Sequence, residues 1–333
     1  MSVIVTGGAG FIGSNLIRGL NARGIVDIWV VDNIGSTHKF KNLIGCQFKQ
    51  YLDKDEFRNL LRDNKFDAKV STIFHQGACS NTMELNGNYM MDNNYQYSID
   101  LLEYAIRNEI NFIYASSAAV YGGGTQFGED KVNESPLNVY GYSKFLFDEL
   151  VRERLHGAKS QIVGLRYFNV YGPREHHKAQ MASVSYHLFS QMSEGGALKL
   201  FEGSGGYSAG EQRRDFVYVD DVVKVNLEFL DNSDRSGIYN CGTGQSQTFN
   251  EVAEATINAV RKRRGEGLLT LDEMLEQQII TYRSFPDGLE SRYQSFTEAN
   301  SAKLKASGSE VIFQDVASGI EAYVDYLSTA NFS

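Results

Sequence analysis

Apolar residues in the first half of the chain come in short continuous runs, separated by stretches with helical spacing. Val3-Ile4-Val5 and Trp29-Val30-Val31 are such runs, as are residues 70–75, 111–116 and 160–166. β-Branched and apolar runs of this length, without polar alternation, predict strands buried on both faces. Residues 98–108 and the stretch around Tyr140 carry the intervening helical pattern. Strands alternating with helices predict a doubly wound parallel α/β sheet, whose ligands collect at the carboxyl ends of the strands. Past Pro173 the regularity fades. Residues 203–210 hold four glycines, and 265–278 read as an inserted turn with a short helix. The pattern predicts two interleaved domains: 1–168 with about 215–244 as a nucleotide-binding domain, and 169–214 with about 245–333 as a smaller α/β substrate domain.

The first strand runs into Thr6-Gly7-Gly8-Ala9-Gly10-Phe11-Ile12-Gly13, followed by the amphipathic Ser14-Asn15-Leu16-Ile17-Arg18-Gly19-Leu20. Glycines at that spacing permit a tight turn and a close approach of backbone to phosphate. The helix that follows offers unpaired N–H groups and the positive end of its dipole. A glycine-rich turn alone says little, because tight turns need glycine for structural reasons. Here it lies between strand and helix, and the second strand ends in Asp32-Asn33, about 20 residues on, where a ribose-binding carboxylate is expected. Together these features predict a Rossmann dinucleotide site.

Tyr140 and Lys144 are spaced i, i+4, which puts a phenol and an ammonium on one helix face. A free tyrosine is a poor base at neutral pH, and a neighbouring cation is expected to favour its phenolate. Ser117, at the end of Tyr114-Ala115-Ser116-Ser117, is placed to complete an alcohol-binding set. Taken alone, Tyr-x-x-x-Lys reads as an amphipathic helix pair. Beside the glycine loop and the serine strand end, it reads as proton handling in hydride chemistry.

Composition narrows the partners. With 333 residues, 42% hydrophobic and 22% charged, the chain is long enough for a substantial core. A net charge of -9 argues against nucleic acid as a partner. Arg261-Lys262-Arg263-Arg264 reads as the C-terminal end of a helix. Cys46, Cys79 and Cys241 are too few and too scattered for a disulfide framework or a zinc pattern, which suits a reducing compartment. No leader precedes the first strand and no apolar run approaches about 18 residues, so a cytoplasmic protein with no membrane partner is expected. His176-His177 lacks a third ligand, and no metal is expected.

The glycine loop, Ser116-Ser117-Ala118-Ala119-Val120-Tyr121-Gly122, Tyr140-x-x-x-Lys144 and Arg166-Tyr167-Phe168-Asn169-Val170-Tyr171-Gly172-Pro173-Arg174 resemble the extended short-chain dehydrogenase/reductase family of nucleotide-sugar enzymes. Residues 90–98, 136–148, 181–184, 201–204 and 214–219 are similar to the branch of that family acting on ADP-linked heptose in lipopolysaccharide biosynthesis. The likeness runs nearly end to end.

The resemblance implies NADP, one per subunit, retained through turnover, and a homo-oligomer acting on an ADP-heptose. It implies that Gly7, Gly10, Phe11, Ile12 and Gly13 meet the pyrophosphate, and Asp32 and Asn33 the adenosine ribose. Lys39 is implied at the 2′-phosphate. Lys54 is an equal candidate for that phosphate and for a solvated surface position. Gln76, Gly77, Ala78, Cys79 and Ser80 form the next implied cofactor loop, with Asn93, Val170 and Lys178 also near the cofactor and Lys144 on the nicotinamide ribose. Asn169, Ser183, His187, Phe201, Glu202, Gly203, Ser204, Arg214 and Tyr293 are implied to line the sugar-nucleotide site. Without the resemblance Lys178 is an exposed loop lysine; with it, Lys178 is a second acid/base beside Tyr140. The chain departs from the family pattern in longer segments at 205–212 and 262–278, and in Gln76 where a glutamate is expected. Two competing readings are another nucleotide-sugar epimerase or dehydratase, such as a UDP-galactose 4-epimerase, and a catalytically dead dinucleotide sensor. Lys39, Lys178 and residues 201–204 count against the first, and the intact Ser117, Tyr140 and Lys144 against the second.

Overall fold

Val3–Thr6 (β1) is buried along its whole length, with neighbours paired on both sides. The chain continues through Phe11–Ala22 (α1), Ile28–Asp32 (β2), Gln50–Asp53 (β3), Lys54–Arg62 (α2) and Thr72–His75 (β4). Gly87–Met90 (α3) leads through one π-helical turn, Met91–Gln96, into Tyr97–Arg107 (α4). Asn111–Ser117 (β5), Val139–Leu155 (α5) and Ile162–Tyr167 (β6) follow. With Gly237–Cys241 (β11) these strands form one seven-stranded sheet in the order β11-β6-β5-β4-β1-β2-β3, every pair parallel. The order reverses at β1 and β4, the switch point beside which ligands bind in such sheets. Ile4, Ile73, Phe112, Tyr97, Leu101 and Phe147 share the core between sheet and helices.

The structure is a computed structural model describing residues 1–35, 38–286 and 293–329, and it divides into two compact units. The first comprises residues 1–167, 222–241 and 301–311; the second comprises 168–221, 242–300 and 312–333. The second contains Asn169–Tyr171 (β7), Val184–Ser193 (α6), Leu198–Phe201 (β8), Arg213–Arg214 (β9) and Phe216–Tyr218 (β10). Val219–Asp231 (α7) carries the chain into the first unit. The second unit resumes with Gln247–Thr248 (β12), Phe249–Arg263 (α8), Leu271–Glu276 (α9) and Ile280–Arg283 (β13). Ala302–Ala306 (α10) belongs to the first unit, and Val316–Thr329 (α11) closes the second. Its strands form three pairs: β10 with β7, β12 with β9, and β13 with β8. Leu188, Val252, Ile257, Ile320 and Tyr323 belong to its core. The Thr248/Glu251 capping box starts α8. The basic end of that helix ties to α11 through Lys262–Glu321 and Arg263–Asp325.

Residues 215–221 and 242–244, expected with the nucleotide-binding domain, lie in the second unit. β10 pairs there with β7, and the buried Asp215 carboxylate accepts the N–H groups of Thr243 (2.8 Å), Gly244 (2.9 Å) and Ala299 (3.0 Å). Those bonds hold the segment where a sequence pattern alone places it with the sheet.

Candidate active site

The loop after β1 is shaped by two glycines. Gly7 has φ +67, and a Cβ on Gly13 would stand 2.1 Å from the Gly7 carbonyl oxygen. Gly10 caps α1, leaving Phe11, Ile12 and Gly13 as its first turn. Asp32, at the end of β2, accepts the Ala9 N–H on one oxygen (2.8 Å) and pairs with Lys39 through the other (2.7 Å). A cleft of about 310 Å³ opens here, lined by Gly7, Asp32, Asn33, Lys39, Lys54, Gly77, Ala78, Cys79 and Asn93. Lys54 reaches Asn93 Oδ1 at 2.9 Å. The Tyr97 hydroxyl is buried in the cleft wall with no hydrogen-bond partner among the described residues. A glycine cradle, two ammonium groups and an unspent buried hydroxyl fit a phosphate-bearing dinucleotide. Gln76 and Ser80 stand outside the lining. Tyr167 and Asn226 hold the Gln76 amide, and Ser80 is exposed.

Asn138 caps α5 by accepting the Gly141 N–H at 2.8 Å, which sets the first turn that carries Tyr140. One turn on, Lys144 is buried and donates to the Ala115 carbonyl at 2.7 Å, so the ammonium is braced on β5 just before Ser117. Burial lowers the Lys144 pKa to about 8, with Asp148 opposing the fall. The expected lowering of Tyr140 is corrected by the structure. Burial raises the phenol above its ordinary value, and the hydrogen bond with Ser117 recovers part of that.

Asn94, in the π-helical turn, has no counterpart in the sequence reading. It accepts the Cys79 N–H (2.8 Å), donates to the Cys79 carbonyl (2.9 Å) and reaches Ser143 Oγ (3.3 Å), fastening the loop after β4 to the Tyr140 helix. π-Turns recur at functional sites.

In the second unit Arg214 is buried, its guanidinium 4.8 Å from the Tyr293 ring and 5.8 Å from Phe249. Phe201 joins this group at 6.1 Å from Tyr293 and stacks on Phe285 at 4.5 Å. Arg283 lies over Phe201 at 5.0 Å. Phe249, Arg283 and Phe285 were missed by motif reading, because they join the cluster only through folding. Ser204 is buried, bonded to Ser295 (3.3 Å) and Gln212 (3.2 Å), while Glu202 and Gly203 are exposed. Asn169 and Val170 lie on β7. Ser183 caps α6, and His187 occupies its first turns. Lys178 is partly buried in the preceding loop, and burial lowers its pKa against the opposing charge of Glu175. His176 and His177 meet edge to face at 6.0 Å, and among the described residues no three His, Cys, Asp or Glu side chains group around a metal position.

Residues 3–242 match the NAD dependent epimerase/dehydratase family. The chain belongs to that family. A curated relative from Thiobacillus denitrificans, ADP-L-glycero-D-manno-heptose-6-epimerase, is 53% identical over 324 residues, 97% of this chain and 98% of its own length. The crystal structure of Helicobacter pylori ADP-L-glycero-D-manno-heptose-6-epimerase aligns with TM-score 0.78 and 33% identity, covering 99% of this chain and 96% of that one. UDP-glucose 4-epimerase from Thermus thermophilus, in complex with NAD, aligns with TM-score 0.76 and 26% identity over 99% and 100% of the two chains. Membership in the NAD dependent epimerase/dehydratase family makes the chain an enzyme that uses a nicotinamide cofactor. Among the described residues, no helix is long and apolar enough to cross a membrane.

Proposed function

We infer that the protein inverts C6 of ADP-D-glycero-D-manno-heptose to give ADP-L-glycero-D-manno-heptose through a transient 6-ketone, for the lipopolysaccharide inner core. The 53% identity along nearly the whole chain to a relative of that name carries the inference. When bound, the nicotinamide supplies hydride acceptance and return at C6. Tyr140 takes or gives the proton of the C6 hydroxyl, with Ser117 polarising the phenol and Lys144 supplying positive charge. Inversion needs the ketone to present its other face, which moves its oxygen, and a general acid/base must lie within hydrogen-bond reach of each position. Lys178 serves that second position. Its lowered proton affinity suits a group that must be neutral for part of a cycle. Because the hydrogen on carbon is returned rather than exchanged, substrate deuterated at C6 should give product that keeps its deuterium. Loss of the label to water would mean deprotonation at carbon and end this reading.

The cofactor is NADP in preference to NAD. Lys39 and Lys54 both line the cleft beside Asp32, and an acidic chain must gather cations locally to hold a further phosphate. Lys39→Ala should erase much of the preference. One charge-assisted contact is worth about 1.5–3 kcal/mol, roughly 10- to 150-fold in affinity. Equal dissociation constants for NAD and NADP in the native protein would sink the assignment. The enzyme acts as a cytoplasmic homo-oligomer, a setting that suits its three free cysteines.

A further inference from the structure

The loop from β7 to α6 is unusual in its backbone. It leaves the strand at Gly172 (φ +141) and passes through two non-glycine residues with positive φ, Arg174 (+74) and Ala179 (+48). Each such residue costs free energy and persists only where its surroundings over-determine it. Lys178 lies between them. The contact that over-determines the loop is a carboxylate. Glu175 is completely buried. Its Oε1 accepts the Gly172 N–H at 3.2 Å and the Ser183 hydroxyl at 2.7 Å, and its Oε2 accepts the Ser183 N–H at 2.5 Å. Gly172 and Ser183 bracket the loop, so one side chain holds both ends. The Glu175 carbonyl also accepts the Lys178 N–H at 2.9 Å. Ser183 in turn caps α6 by accepting the Tyr186 N–H at 3.2 Å.

We propose that Glu175 is the positioning residue for Lys178: its buried carboxylate fixes the two ends of the lysine's loop and sets its charge against the lysine. This rests on the reading of Lys178 as second acid/base. A buried carboxylate is expensive unless its lone pairs are filled, and here three donors fill them. Its charge then acts on Lys178, where it opposes the loss of proton affinity that burial causes. The lysine thereby gives up its proton more readily than a free amine without being forced neutral. The groups that bear on Glu175 from the packed helices are hydroxyls, Ser183 at the cap of α6 and Tyr323 of α11. The Tyr323 phenol is held protonated by burial and by the Glu175 charge itself. Arg174, His176 and His177 on the loop are common to every variant considered below. Glutamate is specified chemically: glutamine turns an NH₂ toward an N–H donor, and aspartate is a methylene too short to span both ends.

The test compares the full-length native enzyme with Glu175→Gln, Glu175→Asp and Lys178→Met. Two quantities are read: the pH profile of epimerisation, and the titration of the Lys178 amine by NMR after reductive methylation with ¹³C-formaldehyde. The Lys178 resonance is identified by its absence from Lys178→Met. Glu175→Gln should lower kcat on the order of 10²-fold. It should also move both the Lys178 titration and the limb of the profile that Lys178 governs to lower pH. Glu175→Asp should lose rate yet leave both titrations near their native positions, because the charge remains. A glutamate with a merely structural role lowers the rate in both variants and moves neither titration; that result overturns the proposal, as does an unchanged kcat in Glu175→Gln. If Glu175→Gln does not fold by circular dichroism, Glu175→Ser takes its place as the uncharged variant: a Lys178 titration moved to lower pH supports the proposal, and an unmoved titration overturns it. Native epimerisation by Lys178→Met would overturn the second acid/base reading instead. The NMR titration in Glu175→Gln still decides, in that case, whether Glu175 sets the charge on the lysine.

Discussion

Burial pushes Lys144 and Tyr140 in opposite directions, because it disfavours whichever form is charged. The lysine falls to about 8 and the phenol rises. Lys144 is therefore a cation below about pH 8 and neutral above it. A phenol that depends on a nearby cation loses that help as the pH climbs, so the rate of epimerisation should carry an alkaline limb near this value. Lys144→Arg supplies a cation that does not titrate in the working range. It should run slower but lose the limb, and a kcat profile with the limb unmoved would assign it to another group. The residues of this dyad were legible because chemistry fixes their types and the helix fixes their spacing. Gly7 and Gly13 were legible for the same reason, since a Cβ at either would strike backbone. Asn94 and Glu175 were not. Each acts by filling the bonds of residues distant in the chain, Cys79 and Ser143 for one, Gly172 and Ser183 for the other, and no local spacing records that.

The elements are held in place by buried charge as well as by apolar packing. Arg166 on β6 is fully buried and donates to Asp148 of α5 (2.9 Å), to Glu134 (2.6 Å) and to the Tyr121 hydroxyl (2.9 Å). Asp148 also accepts from Tyr114 (2.8 Å) and Ser116 (2.9 Å) of β5. This cluster fastens the helix that carries Tyr140 and Lys144 to the two strands beneath it. Removing Arg166 leaves the buried Asp148 without its cation, held only by the Tyr114 and Ser116 hydroxyls, while Glu134 keeps Arg152. Arg166→Met should therefore cost about 3–5 kcal/mol of stability, measured by urea unfolding. Adding Asp148→Leu should recover part of that loss, because the stranded charge goes with its partner. A cost within the roughly ±0.5 kcal/mol typical of surface substitutions would mean that water reaches the cluster. Runs of apolar residues made most strands of the sheet legible, but β3 was missed. Gln50-Tyr51-Leu52-Asp53 is an edge strand with one buried residue, so it lacks the apolar run that marks the others. β10 misled in the other direction, since Phe216-Val217-Tyr218 is as apolar as a sheet strand yet pairs with β7 in the second unit.

At the scale of the molecule, the two units hold different candidate site residues. The glycine cradle, Asp32, Lys39 and Lys54 all belong to the first unit, and the Arg214, Tyr293 and Phe201 cluster belongs to the second. Alternation of strand and helix made the parallel sheet of the first unit legible. The second unit was readable only through motifs, because short strand pairs and aromatic stacking leave no period. If recognition is divided in this way, ligand-linked stabilisation should divide with it. A ligand at a hundred times its dissociation constant stabilises the form that binds it by about 2.7 kcal/mol. For units of this size each kcal/mol moves the thermal midpoint by roughly 2–4 °C. In the native protein NADP and an ADP-sugar such as ADP-glucose should each raise the midpoint on their own. Lys39→Ala should shrink the NADP increment and keep the ADP-sugar increment. Arg214→Ala should do the reverse, since its buried guanidinium lies over Tyr293 and near Phe249 in the second unit's aromatic cluster. Scanning calorimetry of the two variants with each ligand decides the matter. If Arg214→Ala removes the NADP increment as fully as the ADP-sugar increment, the division fails, and both ligands depend on the same residues.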